Sequence, residues 1–180
     1  MSRRGLLRVA VKLGLLGIVA AFAALFARGL LGPGPLTADR VIEPAGIPAG
    51  AARLESWNGR PVWIVHRSAS QLRALSGRSE VVQSPAAGQR PEIDNPHRSR
   101  QARYGVYLAE TDRSGVLLRY LRERPDRLDP AMPWHGGFVD PGSGALFDSA
   151  GRRYRSTRGA PLPVPPHRFA ADGSLVLGRW

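Results

Sequence analysis

The residues best placed to do chemistry in this 180-residue chain lie between Gly136 and Asp148, in the stretch GGFVDPGSGALFD. Four glycines and a proline let the backbone bend tightly there. A loop of this build suits a ligand, yet Asp140, Ser143 and Asp148 offer only carboxylate and hydroxyl oxygen. The chain contains no cysteine, which excludes disulfides, thiolate metal sites and iron–sulfur clusters held in the usual way. Its four histidines, His66, His97, His135 and His167, form no close pair and no ligand-type spacing with aspartate. His135, in WHGGF, stands nearest to Asp140, a weak basis for a mononuclear metal site. His66 is expected on a strand at a sheet edge. No Ser/His/Asp arrangement is legible, and GSG at 142–144 lacks the pattern of a nucleophile elbow and reads as a turn. RGLLGPG is not a phosphate loop.

The elements that must position this loop read as β-strands. ALFDSAGRRY, continuing from it, is strand, turn, strand. ARLESW, then Asn58-Gly59, then RPVWIVHRS predicts a hairpin, with Val62, Ile64 and His66 on one face and Trp63 and Val65 on the other. SASQLRALSG predicts a short helix capped by Ser68 or Ser70 and carrying Leu72 and Leu75. Residues 76–103 are polar and Pro-containing and predict an irregular surface excursion. YGVYLAE and GVLLRYL predict strands joined by TDRS, and HRFAADGSLVLG a closing hairpin through Asp172 and Gly173. The expected fold is therefore an all-β head, an antiparallel β-sandwich over residues 51–180.

Ahead of the head, Val9 to Ala27 is apolar except for Lys12, long enough for one transmembrane helix over 9–28 with Lys12 reaching the headgroups. Arg3, Arg4, Arg8 and Lys12 precede the apolar core and only Arg28 follows closely. The positive-inside rule then makes 1–8 a cytoplasmic tail and puts the head in the periplasm of a bacterial inner membrane. SRRGLLR looks like a twin-arginine export signal, and the Gly/Pro-rich 29–50 reads as a linker. The net charge of +12, from 26 basic and 14 acidic residues, comes almost wholly from arginine scattered singly. With no stripe and no interleaved aromatic platform this argues against nucleic acid, and for anionic membrane lipid or an acidic partner face.

In this order the pieces resemble the Rieske iron–sulfur subunit of the bacterial quinol–cytochrome c oxidoreductase. The resemblance rests on the basic N-terminus, single membrane helix and linker, on GRPVWIVHRS and NPHRS, and above all on FDSAGRRYRSTRGAPLPVPPHRFAADGSLVLG. It implies two cluster-binding loops. The family's second loop, Cys-Pro-Cys-His-Gly-Ser followed by a variable residue, an aromatic and Asp, falls on DPGSGALFD, keeping Pro141, Gly144, Phe147 and Asp148. By that match the ligand cysteine is Asp140, the ligand histidine Ser143, and the loop-linking disulfide cysteine Gly142. The first loop falls on TDRSGV at 111–116, making the ligand cysteine Thr111, the ligand histidine Arg113, the disulfide cysteine Val116, and retaining Gly115.

A Rieske cluster needs two thiolates on one iron and two imidazoles on the other. Thr111, Arg113, Asp140 and Ser143 cannot supply them, and Arg113 would aim a fixed cation at the metal. The expectation is a degenerate Rieske-like head with no cofactor, no metal and no catalytic residue. An Asp140–Arg113 ion pair across the loops, or exposure of both, are the two readings of what replaced the ligands. The implied role is a structural, assembly or supercomplex-linking subunit beside cytochrome b, cytochrome c type subunits or a terminal oxidase. The alternatives are a redox-active subunit with unrecognised ligands and a free periplasmic binding module.

Overall fold

The computed structural model describes residues 39–76, 90–110, 116–157 and 159–178. The predicted tail, membrane helix and first part of the linker lie outside the described residues. Among the described residues no helix is long and apolar enough to cross a membrane. In chain order the elements are β1 (Arg40–Ile42), β2 (Ala51–Trp57), β3 (Arg60–His66), a helix α1 (Ala69–Ser76), a 3-10 turn (Pro91–Ile93), β4 (Tyr104–Leu108), β5 (Arg119–Leu121), β6 (Gly137–Val139), β7 (Leu146–Asp148), β8 (His167–Phe169) and β9 (Leu175–Leu177).

The hairpin through Asn58 and Gly59 forms as expected. Both residues adopt left-handed conformations, φ 50° and 74°, which a two-residue turn needs to match the twist of its strands. β4 then pairs with the other side of β3, from Val62↔Leu108 to His66↔Tyr104. His66 is therefore not at a sheet edge. It ends the middle strand of β2-β3-β4, between Ala51 and Tyr104, with Nδ1 2.5 Å from the Ile47 carbonyl oxygen.

The expected all-β, antiparallel character holds, and among the described residues it is built as three three-stranded antiparallel sheets: β1-β9-β8, β2-β3-β4 and β5-β6-β7. One core packs Ile42, Leu175 and Leu177 of the first sheet against Val62, Ile64, Val106 and Leu108 of the second. Another packs Val65 and Tyr107 of the second against Phe138 and Phe147 of the third, with Leu118 and Leu162. The middle sheet is thus covered on both faces, which is why β3 and β4 are apolar at consecutive positions instead of alternating. β1 lies inside the stretch read as linker. Its Val41 and Ile42 are β-branched and complete a ladder with β9, so the folded head begins before residue 51.

Three hydrogen-bonded features hold the frame in register. Ser68 and Gln71 form a reciprocal cap at the start of α1: the Gln71 amide donates to Ser68 Oγ at 3.2 Å and the Ser68 amide to Gln71 Oε1 at 2.9 Å. The buried Gln71 amide group then donates to the Tyr120 hydroxyl (3.0 Å) and the His135 carbonyl (2.8 Å), tying α1 to β5 and to the approach of β6. The closing hairpin turns at Gly173, φ 87°, with Asp172 Oδ1 accepting the Ser174 amide at 2.9 Å.

Candidate functional site

β6 and β7 present the predicted ligand loop. They pair from Gly137↔Asp148 to Val139↔Leu146, and the Asp140 amide extends the ladder by donating to the Ala145 carbonyl at 2.9 Å. Gly137 is required by this pairing, since a Cβ there would lie 2.0 Å from the Phe147 carbonyl oxygen. Between the strand ends, the loop closes on Asp140. Its Oδ1 accepts the Gly142 amide at 2.9 Å, its Oδ2 accepts the Ser143 hydroxyl at 2.7 Å, and its main-chain carbonyl accepts the Gly144 amide at 2.8 Å. Ser143 Oγ in turn accepts the Ala145 amide at 3.3 Å. Asp140 is 1% exposed, so of the two readings the one that leaves both side chains in solvent does not hold for it, whereas Gly142 and Ser143 are exposed.

The described segment entering β5 lies at the same end of the third sheet. The Leu118 amide donates to the Ala109 carbonyl at 2.7 Å and Glu110 bridges Leu117. Arg119↔Val139 then lays β5 along β6, so the segment entering β5 and the loop leaving β6 are neighbours. Val116 is 40% exposed there. Thr111 and Arg113, and with them the proposed ion pair to Asp140, lie outside the described residues.

At the other end of β7 from the loop is a buried group of side chains that sequence reasoning missed. Arg67 is almost fully enclosed and spends its guanidinium on five acceptors: the carbonyls of Ser149, Ala102 and His97 and the hydroxyls of Ser99 and Tyr107. Arg98, equally buried, donates to the carbonyls of Ala150, Gly151 and Leu162 and stands 6.0 Å over the Tyr107 ring. Asn95 shapes the turn that sends Arg98 inward, accepting the amides of His97 and Ser99 and donating to the carbonyls of Glu92 and Ser99. The segment expected as a surface excursion therefore reaches into the core here. Asp148 anchors the facing turn, taking the amides of Ala150 and Arg152 on Oδ1 and Arg152 Nε on Oδ2 at 2.8 Å.

This cluster sets the local electrostatics. Burial lowers the pKa of Arg98, opposed by Tyr107 and Asp148, and burial raises that of Tyr107, which stays neutral. His97 is pushed down by burial and by Arg67 and Arg152. The available signal was that His-Arg-Ser occurs twice, at 66–68 and 97–99, and both arginines converge on the turn at 148–151. Nothing in an isolated Arg announces burial, because only the assembled carbonyls make it affordable.

The residues present do not fit a Rieske cluster. Cysteine is absent from the chain, and the loop offers a carboxylate and a hydroxyl bonded directly to each other. Neither oxygen stands in for the thiolate or the imidazole that such a cluster requires. Nor do histidines gather nearby. His167 is buried against the Pro165 carbonyl at 2.9 Å, and His66 and His97 occupy the positions already described. His135 is exposed. Among the described residues no group of three or more His, Asp or Glu could hold a metal ion.

No protein-family model matches the chain. Curated relatives do. The ubiquinol–cytochrome c reductase iron–sulfur subunit of Allochromatium vinosum is 34% identical over 159 residues, 84% of this chain and 73% of that protein. The chain belongs to that family. The ubiquinol–cytochrome c reductase iron–sulfur subunit of Rhodospirillum rubrum is 28% identical over 144 residues, 78% of this chain and 71% of that one. Among solved structures, a chain of a hyperthermophilic respiratory Complex III is similar with TM-score 0.47 and 18% identity, covering 93% of this chain and 98% of that chain. In this member the loop between β6 and β7 carries carboxylate and hydroxyl oxygen at Asp140 and Ser143.

Proposed function

We propose that this protein is a cofactor-free Rieske-like subunit, anchored in the bacterial inner membrane by its N-terminal segment, that serves a respiratory electron-transport complex as a structural, assembly or supercomplex-linking component. The observation carrying this reading is the Asp140–Ser143 hydrogen bond, which consumes with each other the two side chains matched to ligands of the second loop. A head of this kind neither oxidises quinol nor carries an electron. It retains shape: three sheets whose hairpins and buried arginines need no metal. Family membership supplies the expected partners, cytochrome b and cytochrome c type subunits, or a terminal oxidase. The excess of arginine favours an acidic partner face or anionic lipid.

Two measurements on the full chain, purified in mild detergent, test the reading. Iron analysis should find no stoichiometric metal, and heme-bearing subunits should co-purify. A rhombic paramagnetic signal after reduction, with two irons per chain, refutes the cofactor-free part and restores a redox role for unrecognised ligands. Clean recovery without any heme protein refutes the docking part and leaves a free periplasmic module.

A further inference from the structure

We infer that Asp140 does the shaping work for loop 140–145 that metal ligation does in a cluster-bearing relative, so that the loop's conformation is set by one carboxylate. The inference rests on the cofactor-free reading. A loop with glycines at 142 and 144 loses much conformational freedom on ordering and must be tied down by something. Here the ties converge on one residue. The two carboxylate oxygens take the Gly142 amide and the Ser143 hydroxyl, and the Asp140 carbonyl takes the Gly144 amide. Only the Ala145 amide is held at one remove, by the Ser143 oxygen that Asp140 orients.

The chemistry calls for aspartate. Two acceptor oxygens on a short stem can receive a main-chain amide two residues on and a hydroxyl three residues on at once. Asparagine would keep one acceptor and present a donor to Ser143. Alanine would keep neither. Burial of Asp140 at the foot of the loop sharpens the dependence, since the carboxylate is screened little by water.

Hydrogen exchange on the full chain in detergent tests this. Asp140→Ala should raise exchange at Gly142, Gly144 and Ala145 at least tenfold while β3 and β4 amides stay as protected as in the parent. Asp140→Asn should fall between. Ser143→Ala, a milder change in case Asp140→Ala fails to fold, should release the Ala145 amide and leave Gly142 protected. A strong iron chelator should leave the parent loop unaltered, a readout that separates a carboxylate tie from a metal tie. Unchanged exchange in Asp140→Ala, or in Ser143→Ala at Ala145, overturns the inference while leaving an iron-free head intact. Loop exchange that rises with the chelator overturns it by showing a metal tie. Stoichiometric iron in the parent, by contrast, removes the reading beneath it.

Discussion

Nη2 of Arg67 and the hydroxyl of Tyr107 meet at 2.5 Å inside the head, with both side chains sealed from solvent. The same nitrogen reaches the His97 carbonyl at 2.7 Å, and the tyrosine hydroxyl donates to that carbonyl at 3.4 Å. β3, β4 and the 95–99 turn are thereby joined at one point. Removing the guanidinium strands several buried acceptors at once, so Arg67→Ala should cost at least about 3 kcal/mol, and Tyr107→Phe about 1–2 kcal/mol. Arg67→Lys should not rescue, because an ammonium cannot span the planar fork. Denaturant midpoints of the three variants check the order.

Asp148 and Arg152 form the one ion pair among the described residues whose two side chains are nearly enclosed. Deleting either leaves a buried charge alone, and Asp148→Ala also frees the amides of Ala150 and Arg152. Each single variant should lose about 3–5 kcal/mol. The double variant should lose clearly less than the sum, a coupling that a thermodynamic cycle measures directly.

Gly137 carries no side chain because β7 occupies the space. Gly137→Ala would press against the Phe147 carbonyl and Trp134, and the strand pairing beneath the loop must shift. Loss of about 3 kcal/mol or insoluble expression is expected. Gly46→Ala, where nothing stands within 4 Å of the added carbon, should stay within roughly 0.5 kcal/mol and serves as control.

Acid should weaken the head. Burial lowers the pKa of both His97 and His167 below the ordinary 6.5, with arginines adding to the shift. The unfolded chain therefore takes up protons below pH 6.5 that the folded chain refuses until lower pH. Their contribution is complete above 6.5 and declines as the pH falls through the window beneath it. Urea midpoints measured from about pH 8 down to about pH 5 should drop, and His97→Asn should flatten the slope. A midpoint constant across that range would contradict the assignment.

Much of the frame could be read from the chain alone, for identifiable reasons. Asn58-Gly59 and Asp172-Gly173 announce their turns through residues that tolerate positive φ, and Ser68 announces its cap three residues ahead of Gln71. The middle sheet was under-read: consecutive apolar positions in VWIV and YGVYL mean cover on both faces, but a hairpin invites the alternating interpretation. Arg67 and Arg98 were missed as buried groups because guanidinium is ordinarily a surface chemistry. The carbonyls that solvate them come from residues 30–82 positions away in the case of Arg67. Asp140 stood out in the sequence as the acidic residue opening a Gly-rich loop, while its inward orientation depends on Gly142 and Ser143 folding back over it.

A single layer of strands serves as the wall of two rooms. Because Val62 and Ile64 face one interior and Val65 the other, neighbouring residues of β3 report on opposite halves of the molecule. Loosening of the first sheet need not empty the second interior, so the half bearing the 140–145 loop can keep its form while the other half gives way under load.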